Sequence, residues 1–110
     1  MKSTPYQIGY RFERRVKKHF QKQGYEVIRQ SKSSFPDLWV LSPDKKPFAV
    51  ECKVAKYISE TEKMLARVLI AKGYEFKVAY RVKRKLLFWD GNIHENKKEG
   101  TNKKKIQKKN

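Results

Sequence analysis

The stretch from Pro36 to Val54, PDLWVLSPDKKPFAVECKV, decides the fold of this 110-residue chain. Two apolar runs, Asp37–Leu41 and Phe48–Val54, lie on either side of a segment with two prolines, an aspartate and two lysines. Such a composition between two short apolar runs is typical of a turn between strands. The stretch therefore predicts two neighbouring strands that pair as a hairpin.

The second of these strands carries charge on one face. Because side chains alternate along a strand, Glu51 and Lys53 point to one side while Val50 and Cys52 point to the other. Any half-buried strand with a solvated face shows the same alternation. The pattern alone therefore does not indicate catalysis.

Asp37, at the head of the neighbouring strand, changes this interpretation. In a hairpin Asp37 would approach Glu51, and two carboxylates close together are unfavourable without a cation. Oxygen ligands of this kind suit Mg²⁺, for which Mn²⁺ is expected to substitute, and the main-chain carbonyl of Cys52 would be a further ligand. The pair predicts a divalent-cation site.

An amphipathic helix and a further strand precede the hairpin. Apolar side chains recur every four residues ahead of the glycine at position 24, at Ile8, Phe12, Val16 and Phe20. This spacing predicts a helix from Ile8 to about Lys22, and the segment from Tyr25 to Arg29 is predicted to be a short strand.

A second helix and one or two strands follow the hairpin. Ser59 and Glu62 have the spacing of a capping box, and the helix that they start would place Leu65, Val68 and Leu69 on one face. Alternating residues from Phe76 to Lys83 predict a strand, and a last apolar run covers residues 86–89. The order αβββαβ(β) predicts an α/β fold.

The charge of the chain points to nucleic acid. There are 28 Lys and Arg against 11 Asp and Glu, a net charge of +17, which favours a polyanionic partner. Residues 97–109 hold seven lysines and one glutamate, which leaves +11 on the rest of the chain. We expect one folded domain over residues 1–95 and a disordered Lys-rich tail over residues 96–110.

The sequence also bears on the cellular location. No apolar stretch approaches the length of a membrane span, and the segment from Met1 to Gly9 lacks the apolar core of a secretory signal. Cys52 is the only cysteine, so an intrachain disulfide is excluded. These features predict a soluble cytoplasmic protein with no membrane partner.

Several sparse motifs occur together in the order found in a known family. They are Gly9-x-x-x-Glu13-Arg14, Gly24-Tyr25-x-Val27-x-Arg29, Ser33, Asp37-Leu38 and Glu51-x-Lys53-Val54. From Gly9 to about Arg81 the chain resembles the archaeal-type Holliday-junction resolvases, a branch of the PD-(D/E)xK nuclease superfamily. The resemblance implies a restriction-endonuclease-like core, in which helices flank a mixed central sheet.

The resemblance also implies roles for individual residues. Asp37 and Glu51 would hold the metal ion, and Glu13 would reach the same cluster directly or through a water molecule. Lys53 would orient the attacking water or neutralise charge at the phosphorus centre. Ser33 would contact the phosphate or the metal from its loop. These five side chains are the predicted catalytic residues.

The reaction implied is hydrolysis of phosphodiester bonds in branched DNA, at four-way junctions, by a metal-activated water. The family pairs two identical chains, so a homodimer would cut one strand at each of its two active sites. Six basic residues near the site are the predicted DNA contacts: Arg11, Arg14, Arg15, Arg29, Lys32 and Lys56.

Two other functions remain open on the residues alone. One is a nuclease of the same superfamily that acts on duplex or damaged DNA, which differs only in its substrate. The other is a non-catalytic basic nucleic-acid binder, in which Asp37, Glu51 and Lys53 are surface charges. A pure binder gains nothing from carboxylates that face phosphates, because they would repel DNA.

Overall fold

The predicted hairpin lies in the middle of a five-stranded sheet in the computed structural model, which describes residues 2–30 and 34–93. The elements are α1 (Pro5–Lys22), β1 (Glu26–Arg29), β2 (Leu38–Ser42), β3 (Lys45–Cys52), α2 (Glu60–Ala71), β4 (Phe76–Val82) and β5 (Lys85–Trp89). The strands follow one another across the sheet in chain order. All neighbouring pairs are antiparallel except β3 and β4, which are parallel and joined through α2. The α/β fold with a mixed sheet is therefore confirmed.

Helix α1 begins one turn earlier than the apolar spacing predicts. Thr4 is its N-cap and forms a reciprocal capping box with Gln7, and Pro5 occupies the first turn. These residues satisfy the free N–H groups of the first turn, so the helix starts there rather than at Ile8. The predicted end is confirmed, because Gly24 follows with a φ of 94°, a conformation that favours glycine.

The buried face of α1 covers one side of the sheet. Phe12, Val16 and Phe20 are buried against β2 and β3, where Val40 and Val50 are fully buried. A run of buried aliphatic and aromatic side chains at this spacing is the main source of helix stability in a domain of this size. The packing fixes α1 across the hairpin.

Helix α2 packs with a face that differs from the predicted one. Its N-cap Ser59 is confirmed, but Ala66 is its buried residue, and Leu69 and Ile70 pack beside it. Leu65 and Val68, which were predicted to share one face of the helix with Leu69 and Lys72, are 43% and 51% exposed. The rotation of the helix about its axis is set by tertiary contacts, and small Ala66 lies where α2 meets the sheet.

The bounds of the two central strands differ by one to three residues from the predicted ones. Asp37 precedes β2 instead of starting it, and Lys53 follows β3. Lys53 nevertheless continues the line of the strand, because its backbone N–H donates to the carbonyl of Ala79 on β4 at 2.9 Å. Both side chains therefore lie at the open end of the hairpin.

Within the described part of the chain, no helix has the length and the apolar character that crossing a bilayer requires. The predicted Lys-rich tail over residues 96–110 lies outside the described residues.

Candidate active site

The two predicted metal-binding carboxylates meet at the open end of the β2–β3 hairpin. Because Leu38 pairs with Val50, the register places Asp37 opposite Glu51. The backbone N–H of Asp37 donates to Glu51 Oε1 at 3.1 Å, and Asp37 Oδ2 accepts from the backbone N–H of Cys52 at 2.8 Å. Each carboxylate is thus oriented by the backbone of the other strand, as the hairpin predicts.

Burial makes this pair electrostatically costly. Glu51 is 6% exposed and is the buried charged residue of the described core. Its burial and the neighbouring charge of Asp37 raise the pKa of Glu51 to about 8. Burial also raises the pKa of Asp37, despite the hydrogen bond from Cys52 that favours its charged form. A buried and a half-buried carboxylate with raised pKa values form a site that a cation would stabilise.

Lys53 lies between two acidic side chains. Its Nζ donates to Glu62 Oε2 at 2.7 Å and lies 3.6 Å from Glu51 Oε2. Burial alone would lower the pKa of Lys53, but the hydrogen bond to Glu62 and the charges of Glu51 and Glu62 raise it instead. Lys53 therefore stays charged, yet it does not offset the burial of Glu51, whose pKa remains raised.

Glu62 is a site residue that sequence reasoning missed. One of its oxygens accepts from the backbone N–H of Ser59 in the capping box of α2, and the other accepts from Lys53. Burial raises the pKa of Glu62, but the hydrogen bonds from Lys53 and Ser59 outweigh it, so the net shift is downward. The Ser59-x-x-Glu62 spacing was visible in the sequence, but only as a helix start.

The donor atoms fit a hard divalent cation held largely by water. Among residues 2–30 and 34–93, no three His, Cys, Asp or Glu side chains converge as a metal-binding group. Mg²⁺ keeps several waters and is commonly bound by one or two carboxylates, which Asp37 and Glu51 supply. Burial and the charge of Asp37 raise the pKa of the Cys52 thiol, so this residue would contribute its carbonyl oxygen rather than a thiolate. That contribution stays a prediction.

Glu13 faces the same region from α1, although it is paired with a cation. Its Oε1 accepts from Arg29 Nε at 2.7 Å, an ion pair that raises the pKa of Arg29. Both residues line a cavity of about 210 Å³ together with Asp37 and Cys52. The negative charge of Glu13 contributes to the raised pKa of Asp37, which lines the same cavity.

The predicted DNA-contacting residues that the structure describes lie outside the carboxylate pair and make other contacts. Arg11 donates to Ser3, Arg15 donates to the carbonyl of Arg84, and Lys56 lies over the rings of Tyr80 and Trp89. Arg14 lies over the ring of Tyr10. Ser33 and Lys32 lie outside the described residues.

A basic groove runs along α1 beside β5. We define it by the residues that line its volume of about 520 Å³: Arg11, Arg14, Arg15, Lys18, His19, Lys22 and Leu86. Sequence reasoning identified the three arginines but missed Lys18 and Lys22. The signal was present, because Arg11, Arg15, Lys18 and Lys22 recur at helical spacing.

Comparisons with known proteins agree with this geometry. A family model described as archaeal Holliday junction resolvase (Hjc) matches residues 4–108 of the chain. The fold is similar to that of Archaeoglobus fulgidus Hjc, a Holliday junction resolvase from an archaeal hyperthermophile, with a TM-score of 0.63. The two sequences are 26% identical, and the match covers 77% of this chain and 74% of that one. A search of the curated proteins found no match.

The raised pKa of Glu51 predicts that Glu51→Gln stabilises the metal-free protein. The folded state binds a proton more tightly than the unfolded chain, so wild-type stability falls as pH rises from about 4.5 towards about 8. Gln keeps the acceptor for Asp37 but carries no charge. Urea unfolding in EDTA should show a gain of roughly 1–3 kcal/mol at pH 9 that shrinks at pH 5.

Mg²⁺ should reverse the order of stability of the wild type and Glu51→Gln. It is expected to raise the melting temperature of the wild type, whose carboxylate pair would bind it, and to leave that of Glu51→Gln nearly unchanged. Asp44→Asn, which removes an exposed carboxylate at the β2–β3 turn, is the control and should respond to Mg²⁺ as the wild type does. An equal response of Glu51→Gln would contradict a metal site at this pair.

Proposed function

The chain belongs to the archaeal Holliday junction resolvase family and is therefore a junction-resolving endonuclease. We propose that its catalytic residues are Asp37, Glu51 and Lys53. The observation that supports this site is the pair formed by half-buried Asp37 and buried Glu51 beside a charged lysine. Members of the family are metal-dependent, and we propose Mg²⁺ as the ion, with Mn²⁺ as its substitute. The reaction belongs in the cytoplasm, where its DNA substrate would lie.

Asp37 and Glu51 would hold the ion, with the carbonyl of Cys52 as a further oxygen. When bound, the ion supplies positive charge that stabilises the transition state and favours deprotonation of an attacking water. Glu13, on the far side of the same cavity, would accept a hydrogen bond from a water in the cluster. Ser33 retains its proposed contact with the phosphate.

Lys53 is suited to contact the scissile phosphate. An ammonium carries three N–H donors, and the hydrogen bond to Glu62 at 2.7 Å uses one of them. We propose that another donates to a phosphate oxygen and neutralises charge as it develops there. Glu62 would act as a positioning residue, because it fixes the Nζ of Lys53 beside the carboxylate pair.

Two rival functions are less well supported. A non-catalytic binder would have no use for Glu51, which is 6% exposed and destabilised by its charge. A nuclease for plain duplex or damaged DNA would use the same three residues, but the family match favours the four-way junction. Cleavage assays with both kinds of DNA separate these possibilities.

The basic groove would carry the arms of the junction. Five Arg and Lys side chains line the groove, and none of its described lining residues is acidic. Such a groove suits the regularly spaced charges of a phosphate backbone. Arg29 and Lys56, and Lys32 in its loop, would add contacts nearer the active site. Arg15 also holds the β4–β5 turn through Arg84, so its role is partly structural.

We propose that the protein acts as a homodimer, because a four-way junction must be cut in two strands. An exposed apolar face on α2, formed by Met64, Leu65 and Val68, supports this proposal. Contiguous exposed apolar side chains on a very polar protein are typical of an interface. Two copies that share this face would bury it by a twofold contact.

Asp37→Asn, Glu51→Gln and Lys53→Ala should each reduce cleavage of a synthetic four-way junction in Mg²⁺ by about 100-fold or more. The first two remove a proposed ligand of the metal ion, and the third removes a positive charge next to the scissile phosphate. Binding of the junction in EDTA should remain intact or become tighter. Asp44→Asn is the matched control and should cut normally. Cutting in EDTA by the wild type, or no cutting of any branched DNA, would contradict the proposed site.

Replacing Lys18 and Lys22 together by Ala should weaken binding of junction and linear duplex alike. Each lost phosphate contact lowers the slope of log affinity against log salt concentration by about 0.9, so the slope should fall by about 2. Lys45→Ala with Lys72→Ala removes the same charge outside the groove. If this control lowers the slope equally, the effect is one of net charge and the groove is not the DNA track.

Val68→Glu should convert the dimer to a monomer, because the charge would be buried between two copies of α2. Val82→Glu is the matched control, since Val82 on β4 is 50% exposed and Val68 is 51% exposed. Analytical ultracentrifugation over a range of concentrations measures both. A wild type that stays monomeric, or a Val68→Glu variant with wild-type dimer affinity, would rule out this interface.

A further inference from the structure

The cavity beside Asp37 has a second wall that the proposed chemistry does not use. The wall consists of Tyr6, Gly9 and Tyr10 on the first turns of α1, and Asp37 lines the opposite side of the same cavity of about 210 Å³. Their spacing, with Glu13 one turn further on, places the side chains of Tyr6, Tyr10 and Glu13 and the bare Cα of Gly9 on one face of the helix. We call Tyr6, Gly9 and Tyr10 the tyrosine shelf.

The two tyrosines of the shelf are aromatic residues kept outside the core. Their rings lie nearly parallel, with centroids 6.3 Å apart and an interplanar angle of 14°. Tyr6 is 57% exposed and Tyr10 is 41% exposed, so both present much of their apolar surface to solvent. Rings that are already aligned form a surface on which a third flat group can stack at little entropic cost.

Two arginine side chains lie next to the tyrosine shelf. The guanidinium of Arg29 lies 5.5 Å from the centroid of the Tyr10 ring, and that of Arg14 lies 5.8 Å from it. Arg29 is itself held by Glu13 at 2.7 Å, so its position is fixed relative to the active site. An aromatic surface next to placed guanidinium groups matches a nucleotide, which joins a flat base to an anionic phosphate.

Gly9 leaves open space between the two tyrosines. A glycine inside a helix destabilises it relative to alanine, and nothing in the fold requires one here. Its backbone has no positive φ, and a Cβ added at this position would meet no described atom within 4 Å apart from its chain neighbours and the backbone of its own helix. The missing side chain therefore serves neither the backbone nor the packing, and the space belongs to the cavity beside Asp37.

The basic groove cannot by itself explain why a branched substrate would be preferred. Lysine and arginine contacts with phosphates contribute affinity, but they do not distinguish one base sequence from another or a junction from a continuous duplex. In a continuous duplex each base is stacked between its neighbours, and a protein ring has no access to its face. Where strands exchange at a junction that stacking is interrupted, so base faces become accessible at little cost.

We propose that the tyrosine shelf receives an unstacked nucleotide at the branch point, next to the phosphate that is cut. Its base would lie on Tyr6, its backbone would pass over Gly9, and its phosphate would face Arg29. This inference rests on the proposed function and gives the active site its preference for branched over linear DNA. Tyr6 and Gly9 are thus specificity-determining residues.

The test compares Tyr6→Ala with Tyr6→Phe in the full-length protein. Binding of a four-way junction and of a linear duplex of the same sequence is measured in EDTA, where no cutting occurs. Loss of one base–ring stack should weaken junction binding by roughly 5- to 100-fold and leave duplex binding within about twofold. Tyr6→Phe keeps the ring and should bind both DNAs as the wild type does.

Gly9→Ala and Gly9→Leu provide an independent, graded test. Both residues favour helix over glycine, so the melting temperature should be equal to or above that of the wild type. The larger side chain fills more of the cavity, so junction binding and cleavage should fall slightly for Ala and by about tenfold or more for Leu, the order expected of a steric block beside the scissile phosphate. Stability and activity would then change in opposite directions.

The outcomes separate this inference from the proposed function. A wild type that cuts no junction refutes the proposed function. If the wild type cuts junctions, and Tyr6→Ala and Gly9→Leu bind and cut them equally well, the shelf is not a nucleotide site. If Tyr6→Ala weakens duplex and junction binding by the same factor, the shelf contributes affinity without selecting the branch, and the inference is overturned.

Discussion

Two carboxylates, one buried and one half-buried, meet at the open end of the β2–β3 hairpin, and much of the structure around them serves to hold them there. Asp37 and Glu51 are each fixed by a backbone N–H of the opposite strand, at 2.8 Å and 3.1 Å. Lys53 lies near Glu51 but donates its hydrogen bond to Glu62, and the pKa of Glu51 remains raised. The arrangement is unfavourable for the folded protein on its own and would become favourable with the divalent cation proposed to bind there.

Helix α1 connects this centre to the surface around it. One face is buried on the sheet through Phe12, Val16 and Phe20, and this packing fixes the orientation of the rest. A second face lines the basic groove, and a third carries Glu13 and the tyrosine shelf towards Asp37. A single rigid element therefore sets the distance between the metal-binding pair and the surfaces proposed to hold DNA, as precise positioning of a reacting phosphate requires.

Helix α2 has a comparable double role. Its capping box, Ser59 with Glu62, satisfies the first turn and also supplies the acceptor that holds Lys53. Its small buried residue, Ala66, packs on the sheet, while Met64 and Val68 point outward. The same helix thus supports the active site on its inner side and offers an apolar face on its outer side, where the proposed dimer would form.

The sequence by itself determined the element order, the hairpin, the end of α1, the start of α2 and the meeting of Asp37 with Glu51. These features depend on local spacing: alternation along a strand, four-residue recurrence along a helix, and the turn residues between strands. Only the tertiary structure decided that Glu62 holds Lys53, that Glu13 pairs with Arg29, and that Leu65 and Val68 are exposed. Such contacts depend on how each helix is rotated about its own axis when it packs, and residue spacing within one element does not specify that rotation.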